Sequence, residues 1–353
     1  MIITRSPYRI SFFGGGTDYH TWYEEHGGEV LSTSIDHYNY ISCRYLPPFH
    51  PEYKNRIAWR ILEYPNSIDE IQHNAIKGAL KFYDIKRGIE LSNQCDLPAR
   101  SGLGSSSTFS AALIMAIKAL KGKMISKDDL ARETIYLERE VLKENVGVQD
   151  QIATVYGGLN HIIIDHSGNF KVEPLIINEK RRQHFNDHLL LFFTGVSRTS
   201  SEVCKKQIDS AKNNTRQLSR MQAMVPEAID ILSNGRLSDF GELLHESWML
   251  KRSLTDNIST SYIDDLYDLA RTHGAIGGKV LGAGGGGFML FYAKPEYHSK
   301  IKDALKNFIH VPFKLENNGT QIIHYAPKLY SLHSYERLKY ITEEGIKELE
   351  FAK

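Results

Sequence analysis

Cysteine is nearly missing from this chain: Cys43, Cys95 and Cys204 are far apart and odd in number. That excludes a disulfide framework and any paired CxxC motif, and it suits a reducing compartment. Net charge is missing too. The 43 basic and 42 acidic side chains nearly cancel over 353 residues, so no overall field draws the chain to nucleic acid or an anionic membrane. No apolar run approaches the roughly 18 residues of a spanning helix, and MIITRSPYRISFF carries arginines where a signal core would be apolar. The expectation is an unprocessed cytoplasmic protein with no membrane or nucleic-acid partner. Internal repeats, low-complexity tracts and obvious linkers are absent as well. What remains is 41% hydrophobic and 24% charged, enough for two domains with sizeable cores.

Apolar periodicity sets out the elements. A strand is expected around Arg5 and Arg9, ended by Gly14, Gly15 and Gly16, and a second over HGGEVLSTSIDHYNYISCRYL. Residues 68 to 83 suit a helix, GIELSNQCDLP a strand, and STFSAALIMAIKALKGK a helix with Leu113, Ile117 and Leu120 on one face. Ser126 with Asp129 reads as an acidic variant of a capping box for a helix running to about Lys143. GLNHIIIDH and LLLFFTG read as strands. Residues 200 to about 273 read as helices broken at Asn213-Asn214, Gly235 and Asp256-Asn257, followed by KVLGAGGGGFMLFYA, a helix over 296 to 308 and a strand at TQIIHY. Both halves are therefore α+β, with a boundary placed near residue 187.

LPARSGLGSSST, residues 97 to 108, ends a strand at Leu97-Pro98 and passes through Arg100, Gly102, Leu103 and Gly104 into a helix. Glycines let backbone N–H groups approach oxygens closely, the helix N-terminus adds its positive dipole end, and Ser105, Ser106, Ser107 and Thr108 add hydroxyls. A polyphosphate fits this chemistry, although a glycine turn with serine caps would look similar. Two other motifs fail on context. Gly282, Gly284 and Gly287 match GxGxxG, but FMLFYA after them is a strand pattern where a dinucleotide fingerprint opens a helix. Lys279 after Gly278 is no Walker A lysine, because His273 and Val280 stand where glycine and Ser or Thr are needed.

Read together, PYRISFFGGGTDY at 7 to 19, LPARSGLGSSST at 97 to 108 and GKVLGAGGGGF at 278 to 288 resemble the three ordered motifs of the GHMP kinase superfamily. Within it, FFGGGTDY followed by YEEHGGEVLSTSIDHY is similar to the bacterial D-glycero-D-manno-heptose 7-phosphate kinases. Galactokinases instead carry an acidic-His pair where this chain has Gly15-Gly16, so galactokinase sugar contacts do not transfer.

The resemblance implies a two-domain GHMP kinase fold with the active site in the cleft between domains. It also implies ATP and Mg2+ as cofactors and a sugar phosphate as substrate, and it leaves room for a homodimer. NVGVQDQIATVYGG resembles the superfamily segment whose Asp approaches the acceptor hydroxyl, which makes Asp150 the catalytic acid-base residue. Arg9, the basic position of the first motif, would neutralise phosphoryl charge or hold Asp150 ionised. Pro98, Arg100, Gly102, Leu103, Gly104, Ser105, Ser106 and Ser107 would bind the nucleotide.

Ser106, with Ser105 close behind, would be the metal's hydroxyl ligand. Galactokinase spacing puts the metal's carboxylate at Glu138, whereas mevalonate kinase spacing falls on Arg139. Gly15, Gly16, Thr17 and Asp18 would meet the sugar, and Gly285 and Gly286 would close the pocket. Arg198, with Ser197, Thr199 and Ser200, follows a strand and opens a helix rich in hydroxyls, so it is the expected receiver of the substrate's own phosphate. His184 and His188 stand at metal-like spacing but in a polar connection without a catalytic Glu, so no zinc is expected. The implied reaction phosphorylates the anomeric hydroxyl of a heptose 7-phosphate. Rivals are another sugar kinase of this fold, such as a fucokinase, or a catalytically silent sugar and ATP sensor.

Overall fold

The computed structural model describes residues 1–47, 49, 53–195, 208, 209, 211–256 and 258–328. The expected Arg198 cluster at 197–200, Cys204 and Asn257 lie outside the described residues.

Seven strands enter the first sheet in chain order: β1 (Ile2–Phe13), β2 (Gly28–Tyr45), β3 (Arg56–Ala58), β4 (Leu62–Glu63), β5 (Ile89–Cys95), β6 (Leu159–Ile164) and β7 (Phe170–Pro174). A second sheet then forms from β8 (Leu189–Phe193), β9 (Ala275–Val280), β10 (Phe288–Ala293) and β11 (Ile309–Val311), in the order β11-β8-β10-β9. The chain finally returns to the first sheet, with β12 (Leu315–Glu316) on β2 and β13 (Gln321–Tyr325) on the outer edge of β1. Position 187 falls in the turn between the helix ending at Asn186 and β8. Apart from the parallel β3–β5 pair, the described pairings are antiparallel.

The helices are α1 (His20–His26), α2 (Asn74–Phe82), α3 (Ser105–Leu120), α4 (Lys127–Tyr136), α5 (Gln149–Tyr156), α6 (Glu179–Asn186), α7 (Thr215–Ser233), α8 (Leu237–Arg252), α9 (Ser261–Thr272) and α10 (His298–Ala304). Helix α3 is apolar nearly all round, so it is buried against β1 and β2 rather than lying on the surface. Its Leu113, Ile114 and Ile117 pack with Val30, Ile41 and Leu91 in one core. A second core joins the two halves: Phe12 and Phe13 from β1 meet Phe185, Phe240 and Phe288.

Two elements differ from the sequence reading. The helix expected over 68 to 83 begins only at Asn74, after a short 3-10 turn at Ile68–Glu70. The Ser126 helix has its expected cap, the hydroxyl accepting from the Asp129 N–H at 3.1 Å, but beyond Tyr136 it widens into a π turn, Leu137–Val141. That widening puts Glu138 fully inside and leaves Glu140 half-exposed. Among the described residues, no helix is long and apolar enough to cross a membrane.

Candidate active site

Three loops converge where β1, α3 and α5 meet the second sheet. β1 alternates, so Ile10 and Phe12 enter the core while Arg9 and Ser11 face a cleft. Arg9 is buried and uses its whole guanidinium: Nε donates to Asp150 Oδ1 at 2.8 Å, Nη2 to Oδ2 at 2.7 Å, and Nη1 to the Gly102 carbonyl at 2.8 Å. This bidentate fork fixes both partners in one plane. The Asp150 side chain keeps 29% exposure, so its carboxylate is presented to the cleft from the first turn of α5.

The hydroxyl-rich loop carries the opposite character. Gly104 stands before α3 in the left-handed region, and no side chain caps the helix. Its first N–H groups therefore have no side-chain acceptor and suit an anion. Ser105, Ser106 and Ser107 lie in this first turn and line the cleft with Arg100, Gly102 and Gly104. Ser105 is held by the Arg100 N–H, which donates to its Oγ at 3.0 Å. Leu103 faces the core, and its carbonyl accepts from the Arg9 N–H at 3.1 Å; Pro98 is exposed and does not line the cleft.

The third loop lies directly on the second. A Cβ on Gly282 would stand 2.5 Å from the Gly102 Cα, and Phe288 N–H donates to the Ser101 carbonyl at 3.1 Å. Only glycine permits that approach. Gly282 and Ala283 reach the cleft, whereas Gly285 and Gly286 do not; Gly285 N–H bonds instead to the Ile258 carbonyl at 2.8 Å.

On the wall that carries Asp150, Gly15, Gly16 and Asp18 line the cleft while Thr17 turns inward to the Gly14 and Glu29 carbonyls. Asp18 is buried and accepts from Gly16 N–H at 3.0 Å, Gln149 N–H at 3.3 Å and Gln149 Nε2 at 2.9 Å. Burial, and then the nearby Asp150 charge, push its carboxyl up to about 6 in spite of those donors.

Glu138 does not line the cleft. Its Oε2 accepts from Ser107 at 2.9 Å and from Gln151 at 2.5 Å, while its Oε1 has no hydrogen-bond partner among the described residues. Burial and then Glu144 raise its carboxyl to about 8. Glu144, which the sequence reading did not single out, does line the cleft, and it accepts from Ser106 at 3.3 Å.

A buried carboxylate with an open oxygen, a second carboxylate in electrostatic reach and a serine hydroxyl form an oxygen donor set. That set suits a hard divalent cation completed by phosphate oxygens and water. Among the described residues, no cluster of three or more His, Cys, Asp or Glu side chains could hold a metal alone. His184 and His188 pack ring against ring, centroids 4.7 Å apart, and His188 Nδ1 bonds to the His184 carbonyl.

Several cleft residues escaped the sequence reading, namely Ser11, Tyr19, Glu144, Gly147, Gln149 and Lys251, and Lys279 entered it only as a rejected Walker A lysine. Ser11 had a signal, lying two residues from Arg9 on a strand and hence on its face. Lys251 had none.

The GHMP kinases N terminal domain family matches residues 73–158, and the GHMP kinases C terminal family matches residues 228–310. The chain belongs to the GHMP kinases and is a phosphotransferase. A D-glycero-alpha-D-manno-heptose 7-phosphate kinase of Campylobacter jejuni is 28% identical, over 86% of this chain and 93% of that protein. A mevalonate kinase of Pyrococcus horikoshii is 30% identical over 66% of this chain and 67% of its own length. The fold is shared with the crystal structure of a D-glycero-D-manno-heptose 1-phosphate kinase from Bacteroides thetaiotaomicron: TM-score 0.76, 22% identity, 94% of this chain and 100% of that one.

Proposed function

We propose that this chain is an ATP-dependent sugar kinase that phosphorylates the anomeric hydroxyl of D-glycero-D-manno-heptose 7-phosphate, giving the 1,7-bisphosphate for nucleotide-activated heptose. The bidentate Arg9–Asp150 pair, set directly against the uncapped start of α3, is the observation that carries it. The heptose itself rests on the Campylobacter relative and on the first-motif glycines. The halves on either side of residue 187 would act as nucleotide-binding and C-terminal domains.

Phosphoryl transfer passes through a loose transition state, so the protein's task is positioning and charge stabilisation. The acceptor hydroxyl lies against Asp150, which takes its proton as the oxygen bonds to the γ-phosphorus and the ADP oxygen leaves. Arg9 keeps the carboxylate aimed and sets a positive charge beside the transferring group. The N–H groups and hydroxyls of residues 104 to 107 hold the polyphosphate. Ser106, Glu138 and Glu144 would hold Mg2+, which when bound neutralises charge on the phosphate oxygens. Asp18 and Gln149 face the sugar hydroxyls.

A coupled ADP assay across a sugar panel, with phosphorus NMR of the product, tests the reading. A new anomeric phosphate on heptose 7-phosphate supports it. Preference for fucose would place the chain with the fucokinases, and no single-turnover transfer to any sugar would make it a sensor.

A further inference from the structure

Behind the Arg9–Asp150 pair, the floor of the cleft holds two buried lysines to which the proposed reaction gives no role. Lys279 on β9 is 2% exposed, and its ammonium donates to the Phe12 carbonyl at 2.7 Å, just before the first glycine loop. An ammonium has three donors, and this bond engages one. Lys251, in the last turn of α8, is buried beside it and donates to the carbonyls of Val280, at 3.1 Å, and Gly282. Both lysines line the cleft. Burial, then Lys251, then Arg9 all act to lower the Lys279 pKa, and no carboxylate among the described residues offsets them.

Two further polar atoms point the same way. Ser11 Oγ and Gln149 Oε1 are buried, have no hydrogen-bond partner among the described residues, and belong to residues lining this cleft. They flank the glycine loop, because a Cβ on Gly15 would stand 3.7 Å from both Ser11 Oγ and Gln149 Nε2. Burying the Lys279 ammonium with no carboxylate among the described residues beside it is unfavourable, as is burying a hydroxyl or an amide oxygen without a partner. An anionic, hydroxylated ligand would relieve both.

We infer that Lys279, with Lys251 beside it, is the receiver of phosphoryl oxygens on the acceptor side of the cleft, while Ser11 and Gln149 meet the acceptor's hydroxyls. The inference rests on the phosphotransfer reading and not on the choice of heptose. Two sources present the same oxygens: the phosphoryl in transit, or a phosphate already on the acceptor. Lys279 is a candidate catalytic residue in the first case and a specificity residue in the second.

Lys279→Met and Lys279→Gln test it, Gln retaining a donor for the Phe12 carbonyl without the charge. Each is compared with wild type by kinetics on heptose 7-phosphate and on the unphosphorylated heptose. Metal-free pyrophosphate is the probe for thermal stabilisation. Removing a buried charge should leave the free variants at least as thermostable as wild type. Both should lose most of the pyrophosphate-induced shift, and kcat/KM for heptose 7-phosphate should fall about 10- to 150-fold, as expected for loss of a charge-assisted bond. Equal loss on both sugars assigns Lys279 to the transferring phosphoryl, and loss confined to the phosphorylated sugar assigns it to the acceptor's phosphate.

Pyrophosphate shift and kcat/KM within twofold of wild type in Lys279→Gln would overturn the inference. So would a less stable Met variant whose defects Gln repairs, since that marks a structural pin to Phe12. If wild type turns over neither sugar, the heptose reading fails while the pyrophosphate shift still decides the role of Lys279.

Discussion

Asp150 and Asp18 stand on one wall of the cleft in opposite electrostatic situations. Asp150 has the Arg9 guanidinium across both oxygens, whereas Asp18 has only neutral N–H donors and a carboxylate neighbour. Asp150→Asn preserves shape and removes the proton acceptor, so kcat should fall roughly 100- to 10,000-fold, the usual span for loss of a general base. Near-normal turnover by the folded variant would end the base assignment.

Asp18 leads to a stability prediction instead. Its folded pKa of about 6 lies above the ordinary 3.8, so the folded state holds the proton more tightly and loses stability as pH rises between those values. The penalty is complete above about pH 6 and amounts to at most ~3 kcal/mol. Asp18→Asn should therefore gain thermal stability relative to wild type as pH is raised from 4 to 6.5, and parallel melting curves across that range would show that the penalty is absent.

The turn between β9 and β10 works by being pressed onto the loop before α3. Gly282 has φ +69° and its missing Cβ would meet Gly102, so Gly282→Ala combines a left-handed strain with a collision against backbone. A loss of roughly 1–3 kcal/mol is expected, together with a rise in the KM for ATP larger than that for the sugar. Equal KM changes in the two substrates would show that the contact does not shape the nucleotide loop.

This pair also marks how far the sequence could be read. The glycines, the hydroxyls and the strand after Gly287 were visible because each has a local conformational reason. The strands β1, β2 and β5 and the helix α3 were visible because their apolar residues keep a regular period. The polar helix α6, the short α1 and the strands β3, β4, β7, β11 and β12 carry too few periodic residues to stand out, and tertiary pairing forms them. The π turn at Leu137–Val141 gave no local signal. Arg9 and Asp150 were legible through motifs, but Lys279 reaches Phe12 across 267 positions of chain, and nothing near either residue announces the meeting.

Across the whole molecule, the cleft draws on both sheets, with Arg9 from the first and Lys279 from the second. Arg198, in TGVSRTSS just beyond the end of β8, remains the proposed clamp for a phosphate at the far end of the substrate. Arg198→Ala should lower kcat/KM for heptose 7-phosphate about tenfold to 150-fold. The unphosphorylated heptose should be barely affected, and the KM for ATP should stay within about twofold. Equal losses on the two sugars would move the clamp elsewhere.

The return of β12 and β13 to the first sheet has a further consequence, for the newborn chain. β1 carries the guanidinium at the centre of the site, yet one of its edges waits for residues 321 to 325, the last described strand to be made. On the ribosome, most of the first sheet and the whole second sheet can be synthesised while that edge stays unpaired. Folding must close a loop spanning nearly the whole chain, which is slow. A truncation before residue 321 should therefore damage the half of the protein made first.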